Sequence, residues 1–283
     1  FVPAGTSTEV APTAQFLVPS NRLAEGLRWE VVRDPDGAMP DASAATDRFP
    51  RDASGPLAVI TPPTLKLRFV PIRLTSHGNT TPNVLESQMG EYIRLVRQFG
   101  PVGAIETSIA PAFSLDASFG TAPTGGTSAF WVSLLQQLDL ARVNSLDFND
   151  AHWVGVVLPP AGYNFVTFGG FGYIPSSGTS TGPGTRTFGL VGLNWFNRES
   201  QTRELVMHEL GHNLGRQHAP CGGAGGPDIA FPNVGGVIGS GGHDTWAFQL
   251  GASSAPVIPS NTGDTMGYCT PVWISTYTYG AMT

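Results

Sequence analysis

The apolar positions of this chain change period several times, and each change marks an element. Leu67-Arg68-Phe69-Val70-Pro71-Ile72-Arg73-Leu74 reads as a strand. From Val84 to Phe99 the apolar residues Leu85, Met89, Tyr92, Ile93, Val96 and Phe99 fall at helical spacing. A strand is expected near Gly103 to Ile109, and a second helix from Phe130 to Val143 through Leu134, Leu135, Leu138 and Ala141. Trp153 to Leu158 reads as a compact buried strand stopped by Pro159-Pro160. Gly170 to Ile174 and Phe188 to Trp195 are two more strands, with a Ser, Gly, Thr and Pro loop around residues 176 to 186 between them. Arg203-Glu204-Leu205-Val206-Met207 then opens another helical pattern. This alternation predicts an α/β domain with a twisted mixed sheet, starting at Leu65. Its upper part runs over residues 65 to 217, and a glycine-rich, loop-rich lower part over 218 to 283.

Residues 1 to 64 are different. They are proline-rich, with strand-like runs only at Leu27 to Val32 and Leu57 to Ile60. An irregular or β-rich appendage is expected, either an Ig-like remnant or a propiece-like segment, and the pattern does not decide between the two. A propiece that silences its domain would offer it a cysteine or an acidic side chain. The segment holds no cysteine; Asp34, Asp36 and Asp41 are the acidic candidates, and turn aspartates are the commoner explanation.

Composition narrows the partners. A hydrophobic content of 41% over 283 residues is enough for one large core or two modest ones. The net charge is −6, Lys66 is the one lysine, and no basic run occurs, which argues against a nucleic-acid or anionic-membrane surface. No apolar stretch approaches the roughly 20 residues that span a bilayer. The start at Phe1-Val2-Pro3 has neither an initiator methionine nor a signal-peptide core, so the chain reads as a mature or excised fragment of a secreted protein. A monomer is expected.

Residues 208 to 218 carry the chemistry. In His208-Glu209-Leu210-Gly211-His212-Asn213-Leu214-Gly215-Arg216-Gln217-His218, the two histidines one turn apart share a helix face and can close on one metal ion. Glu209 lies beside that ion, placed to take a proton from water that the cation has acidified from about 15.7 to about 7. Gly215, lacking a Cβ, can turn the chain in the left-handed conformation and bring His218 back as third ligand. A fourth position stays open for water and substrate.

This constellation resembles the extended signature of the metzincin clan of zinc endopeptidases at His208, Glu209, His212, Gly215 and His218. Asp264-Thr265-Met266-Gly267-Tyr268 is similar to that clan's methionine turn, which implies that Met266 floors the three imidazoles by packing. In some branches of the clan a tyrosine occupies the offset of Tyr268. The resemblance therefore implies either that Tyr268 donates to a developing oxyanion or that it merely packs with Trp273 and Tyr277. Cys221 follows the third histidine and Cys269 follows the methionine, each by three residues, so both segments expected to meet under the metal carry one. A disulfide between them would imply an oxidising compartment; two reduced core thiols are the alternative.

The resemblance implies a secreted enzyme with one catalytic Zn2+, acting on an extended peptide or glycoprotein. Gly170, Gly172 and Tyr173 are the expected strand lining its cleft, the glycines letting a substrate backbone approach; an ordinary glycine-softened edge strand is the alternative. A catalytically silent, zinc-stabilised binding or adhesion module is the reading from another class. It leaves Glu209 without a purpose. No loop of calcium-ligand spacing is evident. His243-Asp244 reads as a solvated pair, and His77 and His152 lack any partner spacing.

Overall fold

The computed structural model describes residues 2–3, 14–15, 24–32, 48–50, 55–56, 63–146, 150–166, 168–175, 186–193, 199–239, 247–248 and 257–282. The chain forms two compact units, Phe1–Pro62 and Pro63–Thr283. The described residues of the first make short antiparallel pairs: Val2–Pro3 with Ala14–Gln15, Arg28–Trp29 with Gly55–Pro56, and Val31–Val32 with Arg48–Phe49. The expected run from 27 to 32 is thus two dipeptides that pair with different partners. Residues 57 to 60 and the three aspartates lie outside the described residues.

The second unit is a mixed α/β structure around a mostly parallel sheet. Its elements are β1 (Thr64–Leu74), α1 (Met89–Tyr92), α2 (Arg94–Phe99), β2 (Ala104–Ile109), β3 (Phe113–Leu115), α3 (Ser128–Val143), β4 (His152–Val157), β5 (Gly170–Gly172), β6 (Thr187–Val191) and α4 (Glu199–Asn213). The sheet order is β5-β6-β4-β1-β2, and β3 pairs with the last residues of β1. All neighbours are parallel except β5, which runs antiparallel to β6 at one end of the sheet.

Period-two alternation sorts the core onto both faces. Leu65, Leu67 and Phe69 of β1, Val154 and Val156 of β4, and Phe188 and Leu190 of β6 face α1, α2 and α4. Val70, Ile72 and Leu74, with Trp153 and Val157, face Phe130, Trp131, Leu134 and Leu138 of α3. Lys66 and Arg68 continue this second face beyond the reach of α3. There Lys66 pairs with Asp150 at 2.8 Å, and the Arg68 guanidinium lies 5.2 Å from the centre of the Trp153 ring.

The single helix expected over 84 to 99 is divided. A 3-10 turn at Glu86–Gln88 leads into α1, and the backbone leaves the helix at Ile93 before α2 begins. The rest of the apolar face survives: Met89, Tyr92, Ile93, Val96 and Phe99 are buried, whereas Leu85, ahead of the 3-10 turn, is exposed. The break lets the adjacent Tyr92 and Ile93 both turn inward, which a continuous helix would place 100° apart.

Beyond α4 the described chain is mainly loop. β7 (Gly263–Asp264) pairs parallel with β8 (Val272–Trp273), and α5 (Thr276–Gly280) follows. The Ser275 hydroxyl accepts from the Thr278 N–H and caps α5. Cys221 and Cys269 form a disulfide across 48 residues, joining the loop after α4 to the loop between β7 and β8. Among the described residues no helix is long and apolar enough to cross a membrane.

Candidate metal centre

Helix α4 brings His208, Glu209 and His212 to the sheet and then stops abruptly. Gly215 has φ +85, the left-handed region. Its N–H donates to the His212 carbonyl and the Arg216 N–H to the Gly211 carbonyl, both at 2.9 Å, the paired bonds of a Schellman cap. The reversal carries His218 back to the two helical imidazoles. The ligand nitrogens of the three histidines all lie within 4.8 Å of one another.

The outer nitrogen of each ring is already committed. His208 Nδ1 lies 2.9 Å from the Thr265 carbonyl, His212 Nδ1 2.7 Å from that of Arg216, and His218 Nδ1 2.5 Å from that of Gly225. A carbonyl only accepts, so each Nδ1 carries the proton, and in a neutral ring Nε2 is then a bare lone pair. His212 and His218 nevertheless hold their Nε2 atoms 3.1 Å apart. Two acceptors at that distance repel unless a cation lies between them.

The protonation states suit that role. Burial pushes His208 down to about 4 and His212 down to about 3, neighbouring imidazoles adding to the shift. Both are neutral at neutral pH, as a metal ligand must be. Three imidazole nitrogens with a position left open match catalytic zinc, whereas a structural zinc site is closed by four protein ligands. The residues present therefore fit the ion.

No family model matches the chain, and no curated protein matches it. Among solved structures, a similar chain is the crystal structure of archaemetzincin (AmzA) from Archaeoglobus fulgidus complexed with malonate, at 15% identity. The likeness covers 56% of this chain and 83% of that one, with a TM-score of 0.29. At that score it carries no functional weight, and the chemistry is read from the side chains.

Glu209 is buried beside His208, and burial alone raises its carboxyl to about 8. Tyr268 is half-exposed, with its hydroxyl 3.3 Å from His218 Nε2 and its ring 5.7 Å from that of His208. Burial, then the charge of Glu209, raises its pKa above the usual tyrosine value. Trp273 and Tyr277 are engaged elsewhere. Trp273 packs on Phe99 with ring centres 4.9 Å apart, and the Tyr277 hydroxyl donates to Asp228 Oδ2 at 2.8 Å.

Met266 is fully buried, and its carbonyl accepts from the Ala219 N–H at 3.0 Å, tying the turn to the residue after the third histidine. The expected cleft residues lie on and next to β5. Gly170 and Gly172 turn their bare α-carbons toward α4, and the Tyr173 carbonyl accepts from Asn213 Nδ2 at 3.1 Å.

Several contributors are missing from the reading of the motif. Asn213, fully buried next to His212, donates to the carbonyls of Tyr173 and Thr187 and accepts from His152 Nδ1 at 3.1 Å. His152 is therefore a buried partner of α4, and His77 Nε2 accepts from the Phe119 N–H, so neither stands alone. Asp264 accepts from the N–H groups of Met266 and Ser275, both at 2.8 Å. Its position two residues before the methionine was the available signal, since an aspartate commonly accepts from the backbone two residues on. Asp228 pairs with Arg216 at 3.2 Å, and its own N–H donates to the His218 carbonyl at 2.7 Å. His243-Asp244 lies outside the described residues.

Proposed function

We propose that this chain is a zinc-dependent endopeptidase that hydrolyses peptide bonds of extracellular proteins or glycoproteins. The observation that carries this reading is the convergence of three Nε2 lone pairs beside one buried carboxylate. His208, His212 and His218 would hold the ion. When bound, zinc supplies a Lewis acid that acidifies water to about pKa 7 and polarises a carbonyl.

The remaining work belongs to the side chains. Glu209 takes the proton as water oxygen adds to the scissile carbonyl carbon, then delivers it to the amine nitrogen as the C–N bond breaks. Without a cation, burial alone holds its carboxyl at about 8, and a cation on the three imidazoles would draw it back to the ionised form that accepts the proton. Tyr268 keeps its proton at neutral pH and holds its hydroxyl 3.3 Å from His218 Nε2, from where it would hydrogen-bond the oxygen that gains charge. Among the described residues the strand β5 ends the sheet, so an extended peptide can add to it by main-chain bonds. The Cys221–Cys269 disulfide supports an oxidising compartment.

Three ligands and a buried base speak against a silent zinc-stabilised module, which would need neither the open position nor Glu209. The test is cleavage of a proteome-derived peptide library by the zinc-loaded protein, with and without chelator, read by mass spectrometry. Chelator-sensitive internal cuts that vanish in Glu209→Ala, with zinc content retained, are expected. A zinc-loaded parent that makes no cuts would move the reading to the binding module.

A further inference from the structure

We propose that Gly170 and Gly172 are positioning residues for Glu209: the bare inner face of β5 is the seat on which the carboxylate rests, while the outer edge of the same strand receives the substrate. The inference rests on the peptidase reading for its catalytic meaning, although the seat itself is a matter of packing. Residues two apart on a strand share a face. Gly170 and Gly172 face α4, and Phe171 between them packs into the core on the α3 side.

The available space shows why neither position takes a side chain. A Cβ on Gly170 would lie 2.7 Å from Glu209 Oε1 and 3.0 Å from Glu209 Cγ. One on Gly172 would lie 2.8 Å from the Glu209 carbonyl oxygen and 3.2 Å from Oε2. Ordinary carbon contacts need about 3.5 to 4.0 Å, so any side chain here moves the base or the strand. Neither glycine has the positive φ that would demand glycine for conformational reasons. Crowding is the requirement: Glu209 lies nearest at both positions, and at Gly170 the Gly189 carbonyl oxygen of β6 also stands at 3.0 Å.

The strand is also fastened on either side of this contact. β6 pairs with all three residues of β5, and Asn213, one turn beyond Glu209 on α4, holds the Tyr173 carbonyl. A peptide that pairs with the outer edge therefore docks on the backbone that fixes the base. The separation of base and scissile bond is set across one strand rather than through a chain of side chains, and errors of an ångström there are costly to rate.

The experiment is a double-mutant cycle between Gly170→Ala and Glu209→Ala. It is read by thermal midpoint of the metal-free protein, by zinc content, and by kcat and KM on a peptide that the parent cleaves. Gly170→Ala should lower the midpoint, and adding Glu209→Ala should recover at least half of that loss, because Oε1 and Cγ are gone. Gly170→Ala should also bind one zinc, keep KM within twofold and lose at least tenfold in kcat. A midpoint loss that Glu209→Ala leaves unchanged, or a kcat within twofold of the parent, overturns the seat. Should Gly170→Ala fail to fold, the double variant must fold; failure of both overturns it as well. A parent that cleaves nothing removes the peptidase reading, while the thermal cycle still decides the seat.

Discussion

His208 and His212 are held in one way and His218 in another. The first two stand a turn apart on a helix packed against the sheet, and their mutual spacing follows from helical geometry. His218 stands on a loop, half-buried, its ring bonded to Gly225 and its carbonyl to the N–H of Asp228. Two of the three candidate ligands are thus set by local period, and one by contacts between loops. The lower part of the domain should therefore control how well the metal is held, even though it supplies only one ligand.

That contrast can be broken first at the helix. His212→Ala removes a ligand that no loop movement can replace, and zinc content should fall from about one per chain to none by atomic absorption. The next largest effect should come from the disulfide. Cys221→Ser with Cys269→Ser releases a loop of 48 residues, worth about 4 kcal/mol in the chain-entropy model, seen as a lower denaturation midpoint. Zinc affinity should weaken in that variant while α4 keeps its helical signal.

Asp228→Ala is a finer probe of the loop ligand. It strands the buried Arg216 guanidinium and frees the His218 carbonyl's partner segment, so zinc affinity measured against a competing chelator should drop about 10- to 100-fold. Loss of less than twofold would mean that the loop holds His218 without help from this pair.

The smallest effect is in the pH dependence of the metal-free protein. Folded His208, His212 and His152 titrate near 4, 3 and 4, all displaced chiefly by burial, against about 6.5 when unfolded. Between about pH 6.5 and 4 the unfolded chain binds more protons, so these groups stabilise the fold above that window and the contribution is lost as pH falls through it. His152→Phe should flatten the slope by about 1.4 kcal/mol per pH unit, measured by denaturant titration at several pH values. An unchanged slope would show that His152 is already protonated in the fold.

The same division explains what the sequence made legible. Period alone placed the strands of the sheet other than β3, together with α3 and α4, and it put His208 and His212 on one face; the three-residue β3 is too short to show a period. The offset of Gly215 announced the reversal that returns His218. What escaped is long-range and irregular: Asn213 meets His152 across 61 positions, and Tyr277 meets Asp228 across 49. No local pattern encodes such pairs. The glycines of β5 were legible as a close approach, but the approaching group is Glu209 from inside the fold, which only the facing helix could reveal. The break at Ile93 was hidden for a related reason, since burial of two adjacent residues looks the same in a periodicity as noise.

The three carbonyls that fix the imidazole protons have a consequence in time. Rings locked in one tautomer and one orientation cannot flip to let go, so a bound ion leaves only when a piece of backbone moves. Thr265 is tied in by its own N–H to the Trp273 carbonyl, and Arg216 by the end of α4, whereas Gly225 lies in an exposed loop. Exchange of metal with the surroundings should then keep the pace of the loop around Gly225, and stiffening that loop would slow loading and unloading alike without altering what is bound.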